Sequence, residues 1–366
     1  MFFYDIPNLL VILIVILVSF RMGLIPLWLS FFLSLFAFIP FILNDVLFPA
    51  SYMPDQFKYF RTVQELRYLD FDFTNNIKIW LSTWMLAFIP LPFVETINSL
   101  GFFSRFLSTV TVIWLYSSKK LRGWPLLFIL FYPSFLLYSS LALRDTLVFT
   151  LMILSVILFL ENRRFFALLV ATPLAIIKSQ NFFLIIVFYI VHLYFSRGTL
   201  FYRYRYILII FVLAGIAPFI MTIIDLLDFS RQALFMEDGG FYKDYVHIET
   251  FRDFVVSALQ SAPYFLMKPL PWEATNLFQF IQSIENIFIF IFLVFMFLKT
   301  SQVDKKIAIK WLVYIVAAFS IYGLVVFNFG TAVRYKFPFI LILVVGMAYE
   351  LYLKHGVFIL IKDAKP

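Results

Sequence analysis

The chain has no cysteine, which excludes disulfides, thiolate nucleophiles and thiolate metal sites and leaves the redox compartment open. Charge is scarce: 14% of the 366 residues are charged, against about 25% in an average soluble domain. No G-x-x-x-x-G-K-[ST], H-E-x-x-H or G-x-S-x-G stretch occurs, so the common nucleotide, metallopeptidase and serine-hydrolase signatures are missing. Internal repeats and low-complexity segments are missing as well. Histidine occurs three times, as His192, His247 and His355.

What is present is apolar. Hydrophobic residues make up 63% of the chain, with 51 Phe, 20 Tyr and 7 Trp, and the mean hydropathy is +0.95. A soluble core of this length cannot hide that much apolar surface, so the solvent is lipid. Spanning helices need about 20 mainly apolar residues. Such runs occur near 7–20, 24–42, 100–117, 124–141, 146–160, 165–177, 182–196, 206–224, 276–298, 311–327 and 337–353. A further run, 77–95, is interrupted by Pro90 and Pro92 and ended by Glu95. The expected class is therefore an all-α polytopic integral membrane protein with about eleven transmembrane helices and one re-entrant or interfacial segment. The first run has neither a basic flank nor a small-residue cleavage site, so it reads as an anchor that stays.

Charge gives the orientation. Basic turns at Arg21, Lys119–Arg122, Arg163–Arg164, Arg197–Arg205, Lys299–Lys310 and Lys354–Lys365 hold sixteen basic residues against three acidic ones. The three acidic residues are Glu161, just before Arg163, and Asp304 and Asp363; with 29 basic and 21 acidic residues in total, thirteen and eighteen remain elsewhere. Cytoplasmic loops collect Lys and Arg, so the net +8 reports topology and not nucleic-acid binding. One transmembrane domain over 1–366 is expected. It carries a first outer loop at 43–99 that includes the re-entrant segment, and a large outer loop at 225–275.

The outer side then collects the polar residues. Arg144, Lys178, Arg334 and Lys336 each lie in a short turn within a few residues of hydrocarbon. A charge at mid-membrane depth costs at least about 2.5–3.5 kcal/mol and usually faces a cavity or partner. Four cations on one face suggest an anion site, and the anion natural to that depth is a lipid phosphate or pyrophosphate. The plainer alternative is that each cation snorkels to the interface. Arg144 and Asp145 are either a local ion pair that holds a helix break or, since adjacent residues on a helix point in different directions, a pair that reaches two different partners. Asp55 follows Pro54 and is either a turn residue or a general base. His247 is the one histidine in a large outer loop. Glu237 and Asp238 form an acidic pair that could hold a metal, although no cofactor is required.

These pieces resemble the bacterial O-antigen polymerase (Wzy) class of polysaccharide polymerases, particularly its EpsG-like branch. The similarity rests on P-D-Q-x-x-Y around Asp55 and Tyr59, on P-S-F-x-x-x-S-S-x-A-L-R-D ending at Arg144-Asp145, and on G-T-A-V-R-Y-K-F-P at 330–338. It implies a GT-C-like fold in the bacterial inner membrane with a periplasmic or extracellular active face. The implied activity joins undecaprenyl-pyrophosphate-linked oligosaccharide repeats into a surface polysaccharide such as an O-antigen. The implied partners are the lipid-linked oligosaccharide, the bilayer and a chain-length regulator. In that scheme Arg144 and Arg334 hold the pyrophosphate with Lys178 and Lys336 in support. Asp55 is the first choice of base, with His247 or Glu237 in reserve, and Tyr59, Gln180, Asn181 and Tyr242 face the sugar. The chain departs from the class in its modest outer loop with a single histidine, which leaves the base open. Another lipid-linked-sugar transferase, an O-antigen ligase or a flippase shares much of this pattern. The lopsided charge and lack of a repeat favour the enzyme over a transporter.

Overall fold

The computed structural model describes residues 2–70, 77–196, 200–237 and 241–356, all helix and connecting turn. Two compact units divide the chain, one of residues 1–185 with 348–366 and one of residues 186–347.

The first unit begins with α1 (Ile6–Arg21), which carries Pro7 in its first turn, where an N–H has no helical acceptor anyway. Gly23 follows at φ +71°, a left-handed conformation that glycine adopts without strain. Next come α2 (Leu27–Phe36), α3 (Ile39–Leu43), α4 (Asp55–Arg67), α5 (Ile77–Ala87) and α6 (Ile97–Ser117). A capping box of Thr96 and Ser99 starts α6, and both hydroxyls also donate to the buried Asp5 carboxylate. Asn8 of α1 exchanges two hydrogen bonds with the backbone of Phe93. The N-terminal helix and the segment before α6 are thereby fixed to each other.

Among the described residues α5 covers eleven and rises about 16 Å, roughly half the ~30 Å hydrocarbon thickness. It stops before Pro90, and the carbonyls of Ala87, its last residue, and of Ile89 and Leu91 beyond it accept from the Arg67 guanidinium. That side chain serves as a C-terminal cap for orphan carbonyls.

The unit continues with α7 (Trp124–Phe131), α8 (Pro133–Tyr138), α9 (Asp145–Leu160), α10 (Arg164–Ile177) and the first part of α11 (Ser179–Phe195). The apolar run 124–141 is thus two short helices, because Pro133 forces Tyr132 into an extended conformation. Residues 139–144 are not helical. α9 and α10 form a hairpin closed by Ser155 donating to the Ala167 carbonyl. At the turn, Lys120 and Tyr349 donate to Glu161. Burial opposes ionisation of Glu161, yet these hydrogen bonds hold its carboxyl below the usual value.

The second unit holds the rest of α11, then α12 (Leu200–Ile216), α13 (Ile220–Glu237), α14 (Phe251–Met267), α15 (Leu277–Val303) and α16 (Lys305–Val325). Most of α17 (Phe329–His355) also belongs here, and its last turns return to the first unit. Asn276 caps α15, and Asp304 caps α16 by accepting from the N–H groups of Lys306 and Ile307. α14 and α16 approach closely at Gly323, where an added Cβ would lie 2.4 Å from the Ser261 carbonyl oxygen. Stretch 225–275, expected to be the large outer loop, contains the end of α13 and all of α14. Asp225 and Asp228 interrupt the apolar run without ending α13, and α14 buries Ser261, Ala262 and Phe265.

Among the described residues four helices are long and apolar enough to cross a membrane: α6, α15, α16 and α17. α1, α9, α10, α11 and the stretch Leu27–Leu43 are shorter apolar helices. The most apolar window of α15 is only 28% buried, whereas that of α17 is 89% buried. Phe288, Ile291 and Leu298 of α15 stand exposed, a contiguous apolar surface that water would not tolerate. The chain is an all-helical membrane protein.

Candidate functional site

In the first unit the site is built around the non-helical turn 139–144. Its anchor is α6, which presents Gly101, Ser104 and Arg105 on one face. Gly101 lets the turn come close, since a Cβ there would lie 2.5 Å from the Ser140 carbonyl oxygen. Ser104 donates to the Leu143 carbonyl at 3.2 Å. Arg105, 3% exposed, donates to the Leu136 carbonyl at 2.7 Å and to the Ser140 hydroxyl. Buried backbone away from water needs such partners. A charged residue inside an apolar run is a functional signal, and Arg105 is one that the cations in short turns overshadow in the sequence.

α4 packs against the other side of this turn. The loop before it ends at Pro54, so Asp55 occupies the first turn of α4, half-buried, where the helix dipole favours a carboxylate. Gln56 is fully buried and joins three segments. Its carbonyl oxygen accepts from the Ala142 N–H at 3.1 Å and from Asn44 at 3.1 Å, and its amide donates back to Asn44. Asn44 also donates to Asn98. One turn later, Tyr59 (4% exposed) lies under the guanidinium of Arg144, 5.7 Å from ring centroid to Cζ. The two motifs around Asp55 and Arg144 therefore meet in space.

Arg144 and Asp145 do reach different partners. Asp145, 1% exposed, forms an ion pair with Lys178 at 3.6 Å, joining the start of α9 to the end of α10. Arg144 is half-buried, and among the described residues no carboxylate pairs with it; its guanidinium lies over the Tyr59 ring. Lys178 satisfies the acid that would otherwise compete for the guanidinium. Asn181 is buried against Met152, whereas Gln180 is exposed.

The remaining candidates lie in the second unit. Arg334 is half-buried in the second turn of α17, and Pro338 removes the N–H that would close on its carbonyl. Lys336 is fully buried. Its ammonium donates to the Leu266 carbonyl at 3.1 Å and to the Asn286 side chain, and Asn286 in turn donates to the carbonyls of Met267 and Lys268. Lys336 and Asn286 together cap the C-terminal end of α14, where a cation also complements the helix dipole.

His247 sits beside Asp228, a residue outside the sequence-derived set. Asp228 accepts from His247 Nδ1 at 2.7 Å, the Tyr245 hydroxyl at 2.8 Å, the Ile248 N–H at 3.0 Å and Arg231 at 3.2 Å. Burial opposes its ionisation, yet the hydrogen bonds from His247, Ile248 and Tyr245 hold its carboxyl below the usual value. Burial and the same carboxylate push the Tyr245 phenol up. Tyr242 is exposed, its ring 6.3 Å from that of His247. The side chain of Glu237 and all of Asp238 lie outside the described residues. Among the described residues no three His, Asp or Glu side chains gather as a metal site would need.

The eleven candidates thus divide: Asp55, Tyr59, Arg144, Lys178, Gln180 and Asn181 belong to the first unit, and Arg334, Lys336, Glu237, Tyr242 and His247 to the second. No protein-family model, curated protein or solved structure matches the chain.

Proposed function

We propose that this chain is a polysaccharide polymerase of the bacterial inner membrane, with about eleven spans and a GT-C-like plan. It joins undecaprenyl-pyrophosphate-linked oligosaccharide repeats on the outer face. A hydroxyl oxygen of the incoming repeat attacks the anomeric carbon of the growing chain. The bond from that carbon to the pyrophosphate oxygen breaks, and the leaving pyrophosphate carries the electron pair away. Cations that meet the developing charge lower the barrier, and a base takes the hydroxyl proton.

The observation that carries this reading is the state of Arg144. It is a half-buried guanidinium at a helix break, set on Tyr59 and paired with no carboxylate among the described residues. Such a group offers a bidentate fork to phosphate oxygens. Arg334 is assigned to the same leaving group. Lys178 and Lys336 support the arginines indirectly, the first by neutralising Asp145 and the second by fixing the start of α17. Asp55 in the first turn of α4 is the preferred base, with His247 and Glu237 as alternatives. Tyr59, Gln180, Asn181 and Tyr242 are assigned to the sugar side.

Surface-glycan chain length in a deletion strain, complemented with wild type, Arg144→Ala or Arg144→Lys, tests the proposal. The expected result is single repeat units at the surface with Arg144→Ala, and partial recovery of polymer with Arg144→Lys. Normal chain length from a folded Arg144→Ala protein would refute it. Lipid-linked repeats trapped inside the deletion strain would point to a flippase, and free polymer unattached to a lipid A core would point to a ligase.

A further inference from the structure

The second unit contains an open pocket of about 330 Å³ between α13, α14 and the end of α16, at the lower end of the ~300–1,000 Å³ typical of small-molecule sites. One wall is a polar stripe on α14. Ser257, Gln260 and Tyr264 line the pocket at spacings of three and four residues, which place them on a single helix face. Phe235 and Phe327, whose rings pack edge to face, also line it, as does Asp244. Gly323 also lines the pocket, where α16 lies close against Ser261 of α14.

We infer that this pocket binds an uncharged saccharide ring. The Ser257 hydroxyl, the Gln260 amide and the Tyr264 hydroxyl make no hydrogen bond to the described residues. Together they offer both donors and acceptors, as a ring of hydroxyl groups requires. Phe235 and Phe327 supply apolar faces for the C–H side of such a ring. An anion is disfavoured, because the one cation in the wall, Arg231, is already bound to Asp228 and to the Leu324 carbonyl, while Asp244 would repel it. A hydrocarbon chain is disfavoured by the polar stripe, whose groups it would leave dry and without partners.

Assigning this saccharide to a repeat unit rests on the polymerase reading; the binding itself does not. Saturation-transfer NMR on the full chain in lipid nanodiscs tests it. The probes are methyl glycosides of neutral hexoses and N-acetylhexosamines, with methyl glucuronide as the charged comparator. Ring-proton saturation is expected from a neutral glycoside with wild type and Arg144→Ala alike. Gln260→Leu should raise its Kd about tenfold, as loss of one or two hydrogen bonds does, and Phe327→Ala should weaken it independently. No saturation from any neutral glycoside, equal binding by both pocket variants, or preference for methyl glucuronide would overturn the inference. Binding that persists while Arg144→Ala cells make full-length polymer would remove the polymerase reading alone. Absent binding with Arg144-dependent chain length would remove the pocket alone.

Discussion

A guanidinium buried without a carboxylate must find its acceptors among neutral oxygens, and Arg105 does so at the Leu136 carbonyl and the Ser140 hydroxyl. Arg105→Met would remove these charge-assisted hydrogen bonds and leave the Leu136 carbonyl to the Ser140 hydroxyl alone, at about 1.5–3 kcal/mol for a bond to a charged group. A marked fall in thermal unfolding temperature of the purified protein is expected. Arg144→Ala, by contrast, removes one ring contact worth about 0.5–1 kcal/mol, so stability should hold while polymer is lost. Equal destabilisation by the two changes would show that Arg144 is structural. Arg105 is legible as a charge inside the run 100–117, but a scan for apolar runs tolerates one charge and so gives it no weight. Asp228 is less legible still. Its partners Tyr245 and His247 lie on a later segment, and no local spacing joins an acid in α13 to them.

Close helix contacts set the geometry at the next scale. Gly101 brings α6 against the turn that carries Arg144, and the atom a Cβ would meet there is backbone, not the end of a flexible side chain. Gly101→Ala must push the turn away, at a cost of roughly 1–3 kcal/mol for overpacking. Both thermal stability and chain length should fall, unlike the split expected for Arg144→Ala. The link from α13 to the 245–248 segment should respond to pH. The folded Asp228 carboxyl titrates below its ordinary value, so its stabilising effect is complete above the unfolded carboxylate pKa and is lost as pH falls through the folded one. Acidification below the usual carboxylate range should therefore raise amide exchange at Ile248, and Asp228→Asn should abolish that pH dependence. An unchanged pH profile in Asp228→Asn would show that another group controls the link.

At the scale of the whole chain, composition alone makes the helical membrane class legible, because 63% hydrophobic residues leave no soluble alternative. Segment length was less so. Run 124–141 splits at Pro133, and stretch 225–275 contains α14, whose hydropathy Arg252, Asp253 and Gln260 lower. Orientation rests on the basic turns, and the absence of cysteine makes it directly measurable. Ser51, Ser118, Ser301 and Asn328 are all exposed positions in or near turns, so each can carry a single cysteine in an otherwise cysteine-free chain. If Lys and Arg mark the cytoplasmic side, Ser51→Cys and Asn328→Cys should react with a membrane-impermeant maleimide in intact spheroplasts. Ser118→Cys and Ser301→Cys should react only after permeabilisation. The pair Ser51 and Ser118 is the sharper test, since among the described residues α5 covers eleven, too few to cross, and α6 is the one long span between them. Labelling of both from the same side would require 77–95 to cross after all, which would flip the first helices and move Asp55 away from the face that holds Arg144. Labelling from opposite sides keeps Asp55 and Arg144 together on one face, as the hydrogen bond from the Ala142 N–H to Gln56 already demands.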